Sequence, residues 1–208
     1  MILTPIPPER LSETLNRFAA RLDDSEARKA FARIRATSPD RAEGADAETH
    51  RQQALAMARR LGVPAHPPGT QPPFNWDGQA LDTDTEAYVI LHEIAHFVLA
   101  PLERRGLIDF GLGPGPDTRD PAAAERAAVV PLTEREADEA EASLLGVLWE
   151  AALGQPALAS FLDQNWLEGL ERSAAAHFTA VFGRLHRRGL LDLASRRDAE
   201  AQSAREIR

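Results

Sequence analysis

The sequence predicts a mainly helical domain with very little strand, organised around one buried central helix. Apolar residues recur at helical spacing along most of the 208-residue chain, whereas runs that alternate as strands do are scarce. Glycine and proline follow several of the apolar stretches, as they do at the ends of helices. Hydrophobic residues make up 43% of the chain, which is enough for the core of one domain.

Residues 1–63 predict a helical N-terminal appendage. Two amphipathic helices are expected within residues 7–36, because apolar side chains recur there every three or four positions. Residues 39–47 are polar and predict a mobile loop. A third helix is expected from about Glu48 to Leu61, just before a glycine that can end it.

A proline-rich linker is predicted at residues 64–73, PAHPPGTQPP, because so many prolines exclude a helix. It is the best candidate for a boundary, and it leaves residues 74–208 as the metal-binding, catalytic domain predicted below. Residues 74–81, FNWDGQAL, predict a short strand or a hairpin that turns at Asp77 and Gly78.

The central helix is predicted from Thr85 to Ala100, TEAYVILHEIAHFVLA. Thr83 and Glu86 have the spacing of a capping box at its start, and Pro101 ends it. Apolar side chains surround it on nearly every side, so we expect the helix to be buried.

Within this helix His92, Glu93 and His96 form the pattern H-E-x-x-H. Positions four apart lie on one helical face, so both imidazoles can bind one metal ion, and Glu93 can act beside it as an acid–base residue. Two core histidines and a glutamate could also share this spacing by chance. A metal is the simplest partner that offsets the cost of burying three polar groups in so apolar a helix.

Composition limits the function classes. The chain has no cysteine, which excludes disulfides and thiolate metal sites, so a metal must be held by imidazole and carboxylate. The net charge is −8 and the basic residues are spread out, which argues against binding nucleic acid or an anionic membrane. No run is long enough to span a bilayer and the N-terminus lacks the pattern of a signal peptide, so we expect a cytoplasmic protein.

A third metal ligand is expected from a second helix, from about Leu132 to Leu153. Thr133 and Glu136 have capping-box spacing at its start. If its inward face is centred on the apolar positions between residues 137 and 151, Glu134 lies on the rim of that face and Glu139 points the opposite way. Glu134 is therefore the preferred ligand and Glu139 the alternative.

The remaining segments have simpler predictions. Residues 117–130 resemble an exposed insertion before that second helix, and Gly169 to Arg188 predicts a further amphipathic helix.

Two resemblances sharpen the prediction. The stretch from Glu134 to Asp138, EREAD, resembles the E-x-x-A-D signature of gluzincin metallopeptidases. It implies a zincin-like, metallopeptidase-like domain with a central H-E-x-x-H helix, in which Glu134 ligates the metal and Asp138 supports a ligating histidine.

A more particular resemblance is to the elongation factor P hydroxylases. In that family H-E-I-[SA]-H is followed by R-R-x-L-[VI]-D-F-G and then by P-D-x-R-D. Here these blocks stand at residues 92–96, 104–111 and 116–120. Three blocks at fixed spacing over some thirty residues are far more specific than H-E-x-x-H alone. Aligned on the downstream helix, the glutamate of that family falls at Glu139.

This resemblance implies hydroxylation of a modified lysine on a protein substrate, elongation factor P, at an Fe(II) site of two histidines and one carboxylate. The same ligand set also suits Zn(II), so a zinc metallopeptidase of gluzincin type is the alternative. The polar residues of the three blocks form either a wall that positions an acidic protein substrate or shields the metal, or a salt-bridged loop that holds the site closed: Arg104, Arg105, Asp109, Asp117, Arg119 and Asp120.

Overall fold

The computed structural model describes residues 6–115, 118–167 and 173–191. The protein is mainly helical, as predicted. These ranges contain eight α-helices: α1 (Pro8–Ala20), α2 (Ser25–Arg35), α3 (Gly44–Leu61), α4 (Ala87–Leu99), α5 (Pro121–Ala127), α6 (Leu132–Ala152), α7 (Ala157–Asp163) and α8 (Ala174–Arg187). Single 3₁₀ turns span Leu102–Arg104 and Ile108–Gly111, and extended pairing in the same ranges is limited to isolated bridges.

The α4–α6 pair is the centre of the fold. These two helices make the most extensive helix–helix contact in the described part of the chain, α3 also packs on α4, and α2, α7 and α8 pack on α6. Gly146 lets the pair approach closely, since a Cβ built there would lie 3.4 Å from the backbone N and Cα of His92. The H-E-x-x-H helix is therefore held backbone to backbone against the helix that carries the acidic candidates.

The N-terminal helices share one hydrophobic core with the helices that follow the proline-rich segment. Phe18 and Phe31, from α1 and α2, contact Phe161 and Phe178, from α7 and α8, with ring centroids 5.4–6.2 Å apart. Residues 64–73 therefore connect two parts of one packed unit.

The helix starts differ from the capping boxes predicted for them. α4 begins at Ala87 after Glu86, without a side-chain cap, and the Thr83 hydroxyl is buried with no hydrogen-bond partner. α6 begins directly after Pro131, before Thr133 could cap it. Pro131 occupies the position just before the first turn, with φ −58° and ψ 143°, and its side chain has no atom that could accept a capping hydrogen bond.

Several other boundaries were predicted incorrectly. α3 begins at Gly44, within the stretch predicted to be a mobile loop, and residues 121–127 form α5 with Ala124 buried. α7 was not predicted at all. α8 begins at Ala174, where Ser173 accepts a hydrogen bond from the Ala176 amide, and residues 168–172 lie outside the described ranges.

The segment 74–81 makes a tight turn with isolated bridges in place of a regular hairpin. Asp77 accepts hydrogen bonds from the amides of Gln79 and Ala80, and a Cβ at Gly78 would lie 2.8 Å from the carbonyl oxygen of Gly106. This contact places the segment against the loop that follows α4. None of the described helices has both the length and the hydropathy needed to cross a bilayer.

Candidate metal centre

Three side chains from α4 and α6 converge on one point. The Nε2 atoms of His92 and His96 lie 3.0 Å apart, and Oε2 of Glu139 lies 3.4 Å from each of them. The histidines are one turn apart on α4, so their rings leave the same face of that helix. Glu139 comes from the face of α6 that also carries Gly146, seven residues later, at the close contact with His92.

This group could hold a divalent metal ion. Three atoms at these separations can each lie about 2 Å from one shared ion, the usual length of Zn–N and Zn–O bonds. Two neutral imidazoles and one carboxylate are suitable donors for zinc and for Fe(II), so the residues fit either ion. Nδ1 of His92 is buried without a hydrogen-bond partner, which leaves Nε2 as the ring nitrogen that His92 offers.

The electrostatics keep the carboxylate ionised beside the histidines. The side chain of Glu139 is 51% exposed, and its partial burial acts to raise its pKa. His96 and His92 outweigh this effect, so the pKa of Glu139 is lowered. Burial acts to lower the pKa of His96, and Glu139 outweighs it, so that pKa is raised. The Glu139 carboxylate is therefore anionic, and it can balance the charge of a proton on the histidine rings or of a metal ion.

Glu93 lies next to His92 on α4 and is buried, with 8% of its surface exposed. Burial raises the pKa of its carboxyl group, and the two histidines act in the opposite direction without cancelling the effect. A carboxyl group with a raised pKa can hold a proton at neutral pH and pass it on. The position suits an acid–base residue beside the metal site.

Asp109 adds a further carboxyl group to the same site. Burial, together with the nearby charge of Glu93, raises its pKa to about 7. Asp109 and Phe110 both adopt left-handed backbone conformations, with φ values of 46° and 53°, and the Asp109 amide donates to the carbonyl of Trp76 at 3.0 Å. Backbone strain of this kind persists where surrounding contacts impose it, often at functional sites.

An aromatic wall supports the second histidine. The ring of Phe110 stacks between His96, at 5.5 Å, and Trp76, at 5.1 Å. The Trp76 indole N–H donates to the Arg105 carbonyl at 2.9 Å, so the wall is tied to the loop after α4. It keeps water from that side of the imidazole and fixes its orientation.

The site opens into a cavity of about 780 Å³. Its lining includes all three candidate ligands, Glu93 and Asp109, and it continues past Arg135 to Asn165 and Trp166. A side chain of a protein substrate could enter such a space and reach the histidines.

The structure brings Glu139, the alternative third ligand, to the histidines, and not Glu134, the preferred one. Glu134 lies exposed in the first turn of α6, and Glu139, the alternative, meets the histidines. The predicted inward face was misplaced: Ala137 on that face is exposed, and the face toward α4 runs through Glu139 and Gly146.

Asp138 pairs with Arg104 rather than with either candidate ligand histidine. Its Oδ2 accepts a hydrogen bond from Arg104 Nη2 at 2.6 Å, which ties α6 to the 3₁₀ turn after α4. Arg105 donates to the Ala100 carbonyl at 3.2 Å and stacks over Phe97 at 4.5 Å. Both arginines make contacts that connect the loop after α4 to neighbouring helices, as the salt-bridged-loop interpretation expects.

The described charged residues of the last of the three blocks, residues 116–120, also make structural contacts. Arg119 donates to the Pro72 carbonyl at 3.0 Å, and Asp120 caps α5 by accepting from the Ala123 amide at 2.9 Å. Asp117 lies outside the described residues. Of the five charged residues of these loop blocks that the structure describes, Asp109 alone lines the cavity.

Sequence reasoning missed several other residues that line the cavity: Tyr88, Arg135, Ser143, Gln164, Asn165 and Trp166. Trp166 N–H donates to the Ser143 hydroxyl at 2.8 Å, and that hydroxyl contacts the Gln164 side chain. The spacing from Arg135 to Glu139, one turn of α6, is the signal that could have identified Arg135 once Glu139 was chosen.

Comparison of this chain with protein-family models, with curated proteins and with solved structures finds no match, so the two family resemblances stay predictions.

Proposed function

We propose that this protein is a metal-dependent enzyme in which His92, His96 and Glu139 hold one divalent ion and Glu93 moves a proton beside it. The observation that carries the proposal is the convergence of three ligand atoms, 3.0–3.4 Å apart, on a cavity wall that also contains a buried carboxyl group. A purely structural metal site is typically closed by a fourth protein ligand, whereas three ligands beside a cavity leave a position for substrate.

The favoured chemistry is hydroxylation of a protein side chain with bound Fe(II), which would supply the activation of dioxygen. The choice of iron rests on the resemblance to the elongation factor P hydroxylases. Glu139, the position which that resemblance implies, is also the carboxylate that lies beside the histidines. The proposed substrate is therefore a modified lysine of a translation factor such as elongation factor P.

The chain's own residues suit a cationic, lysine-derived side chain. Glu93, Asp109 and Glu139 place three carboxyl groups in the cavity lining, and oxygens of such groups can accept hydrogen bonds from an ammonium group. Phe110 and Trp76 exclude water behind His96, so charges in the site interact more strongly than they would in bulk solvent. Glu93 would give or take the proton that the reaction moves.

The second candidate is a zinc metallopeptidase, favoured by the buried carboxyl group of Glu93 directly beside a ligand histidine. Bound Zn²⁺ would supply Lewis acidity. Glu93 would then accept a proton from the attacking water and transfer it to the leaving amine.

Metal analysis of protein purified without oxygen tests the choice. For the hydroxylase we expect about one equivalent of iron per chain and oxygen consumption that depends on a peptide bearing the modified lysine. One equivalent of zinc, with no iron retained and no activation by added iron, would instead favour the peptidase.

Glu93→Gln should keep the metal and abolish turnover in either case. If metal, fold and every cellular effect survive this change, the protein is not an enzyme.

A further inference from the structure

Arg135 lies in the wall of the same cavity as the three candidate metal ligands. It precedes Glu139 by four residues on α6, so the two side chains leave one helical face a single turn apart. Its side chain is 20% exposed. A cationic group is therefore placed about one helical turn from the site that would hold the metal.

The guanidinium is held in place by two contacts. Its Nε–H donates to the carbonyl of Val130 at 2.9 Å. The backbone of Gly113, at φ 89°, packs directly on it, since a Cβ built on Gly113 would lie 2.6 Å from Nη1. Arg135 is thus a positioned group whose orientation is set by neighbouring backbone, unlike a freely moving surface arginine.

The charge of Arg135 is only weakly compensated. It forms an ion pair with Glu125, with 3.8 Å between Nη1 and Oε2. Because 64% of the Glu125 side chain is exposed, water screens this pair. Among the described residues that line the cavity, Arg135 is the single lysine or arginine. It is therefore the cationic side chain that the described cavity lining offers to an anionic group of a ligand.

We propose that Arg135 binds a carboxylate of the ligand whose other end lies at His92, His96 and Glu139. A carboxylate matches the planar fork of a guanidinium, which can donate two parallel hydrogen bonds to it. The inference deepens the proposed function, on which the location of the reacting end rests. The carboxylate belongs to an acidic side chain, to a peptide C-terminus or to a small organic acid.

Binding of two hydroxamates to zinc-loaded protein tests the proposal. Glutaric acid monohydroxamate and its carboxamide analogue differ only at the end remote from the metal. We expect the acid to bind at least tenfold more tightly in calorimetry, and Arg135→Gln to abolish that preference. Arg135→Lys, which keeps the charge without the fork, should retain part of it. Equal binding of the two compounds by the unchanged protein would overturn the proposal.

Two matched variants serve as controls. Arg126→Gln removes an exposed arginine of α5 that does not line the cavity, so it should leave the preference unchanged. Glu125→Gln removes the weak competitor for Arg135, so it should strengthen binding of the acid or leave it as it was. Loss of the preference in Arg126→Gln would show that general charge and not Arg135 decides it. Loss of the preference in Glu125→Gln would also contradict the proposal, because that change leaves Arg135 in place and removes its acidic neighbour.

Three peptides distinguish the source of the carboxylate: amidated Gly-Lys-Glu, amidated Gly-Lys-Gln, and Gly-Lys-Gln with a free C-terminus. Tighter binding of the first peptide alone indicates a side-chain carboxylate, and tighter binding of the third alone indicates a chain end. Either result supports the proposal if Arg135→Gln removes the difference in affinity. Failure of the metal proposal is seen separately, because direct metal titration then detects no ion. Both hydroxamates are also measured on metal-free protein. We expect the preference for the acid to persist there and to depend on Arg135, and loss of the preference in the metal-free protein would overturn the inference.

Discussion

Five residues separate Glu134 from Glu139, and at 100° per residue this turns their side chains about 140° apart on α6. Only one of them can face α4, and the close contact at Gly146 decides which, because Glu139 lies on the same face two turns earlier. The two family resemblances assigned the metal ligand to different glutamates. Helix packing supports the assignment to Glu139.

Glu139→Gln should therefore reduce metal affinity by more than about 100-fold, since even residues that only orient a ligand contribute 10–100-fold. Glu134→Gln is the matched control, because the Glu134 side chain is exposed on the same helix. The metal affinity of this variant should stay within about twofold of that of the unchanged protein. Competition with a chromophoric chelator measures both. Comparable losses in the two variants would contradict the assignment.

At the scale of helices, the positions of both α4 and α6 were predictable, but the face of α6 that meets α4 was not. α4 is apolar on nearly every side, so its burial and the convergence of His92 and His96 follow from composition and spacing alone. α6 is packed by α2, α4, α7 and α8, and from Ala142 onward its buried residues surround most of the helix. A pattern buried on several sides does not reveal which side carries the metal ligand.

The short elements were hard to predict for a related reason. α5 and α7 have seven residues each, too short to show a helical period. The left-handed residues Asp109 and Phe110 are imposed by tertiary contacts, including the hydrogen bond to Trp76, and not by local preference. The sequence therefore identified Asp109 as a site residue but not the turn that positions it.

Gly146→Val should loosen the α4–α6 contact. Crowding the backbone of His92 is expected to cost about 1–3 kcal/mol of unfolding free energy and to displace His92 from Glu139, which weakens metal binding. The control is Gly183→Ala on α8, where an added Cβ would meet only the mobile end of Arg187, at 3.4 Å. That variant should gain up to about 1 kcal/mol from helix propensity. Denaturant unfolding and metal titration of both variants provide the measurement, and an unchanged metal affinity in Gly146→Val would contradict the close-contact argument.

A buried acid at the junction of α6 and α7 makes stability depend on pH. Glu150 is 2% exposed, and burial raises its pKa from 4.5 to about 7, although Ser160 and then Arg41 act to lower it. Between these pH values the folded protein keeps a proton that the unfolded chain has released. The free energy of unfolding therefore falls as pH rises through this window, by about 3 kcal/mol from this group.

Glu150→Gln removes that titration, so the variant should lose less stability than the unchanged protein between pH 4.5 and pH 8. Arg41 keeps its hydrogen bond to Asp163, at 2.7 Å, so the junction retains an ion pair. Denaturant unfolding across this pH range measures the difference. If the free energy of unfolding changes with pH in the same way in both proteins, the effect of burial on the Glu150 carboxyl group is offset by its hydrogen-bond and ion-pair partners.

At the scale of the whole molecule, the N-terminal helices share one core with the helices that carry the candidate metal ligands. The proline-rich segment 64–73 resembles a linker because its composition prevents helix formation, but it packs along the domain: the His66 amide donates to the Leu81 carbonyl, and the His66 side chain pairs with Asp77 at 2.8 Å. Composition indicates that a segment is not helical. It does not indicate whether the helices on either side of that segment share a core.

Phe31 connects these helices to the rest of the protein, because it is 1% exposed and contacts Phe161 and Phe178 across the core. Phe31→Ala should reduce the free energy of unfolding by about 3–5 kcal/mol. All three tryptophans follow residue 73, so their fluorescence reports on the part of the chain that carries the metal ligands. If the core is shared, the fluorescence and circular dichroism transitions should shift together, and metal release should accompany them. Leu102→Ala, at a 77% exposed position, is the control and should shift neither. A tryptophan transition that stays in place in Phe31→Ala would show that residues 1–63 fold independently of the metal site.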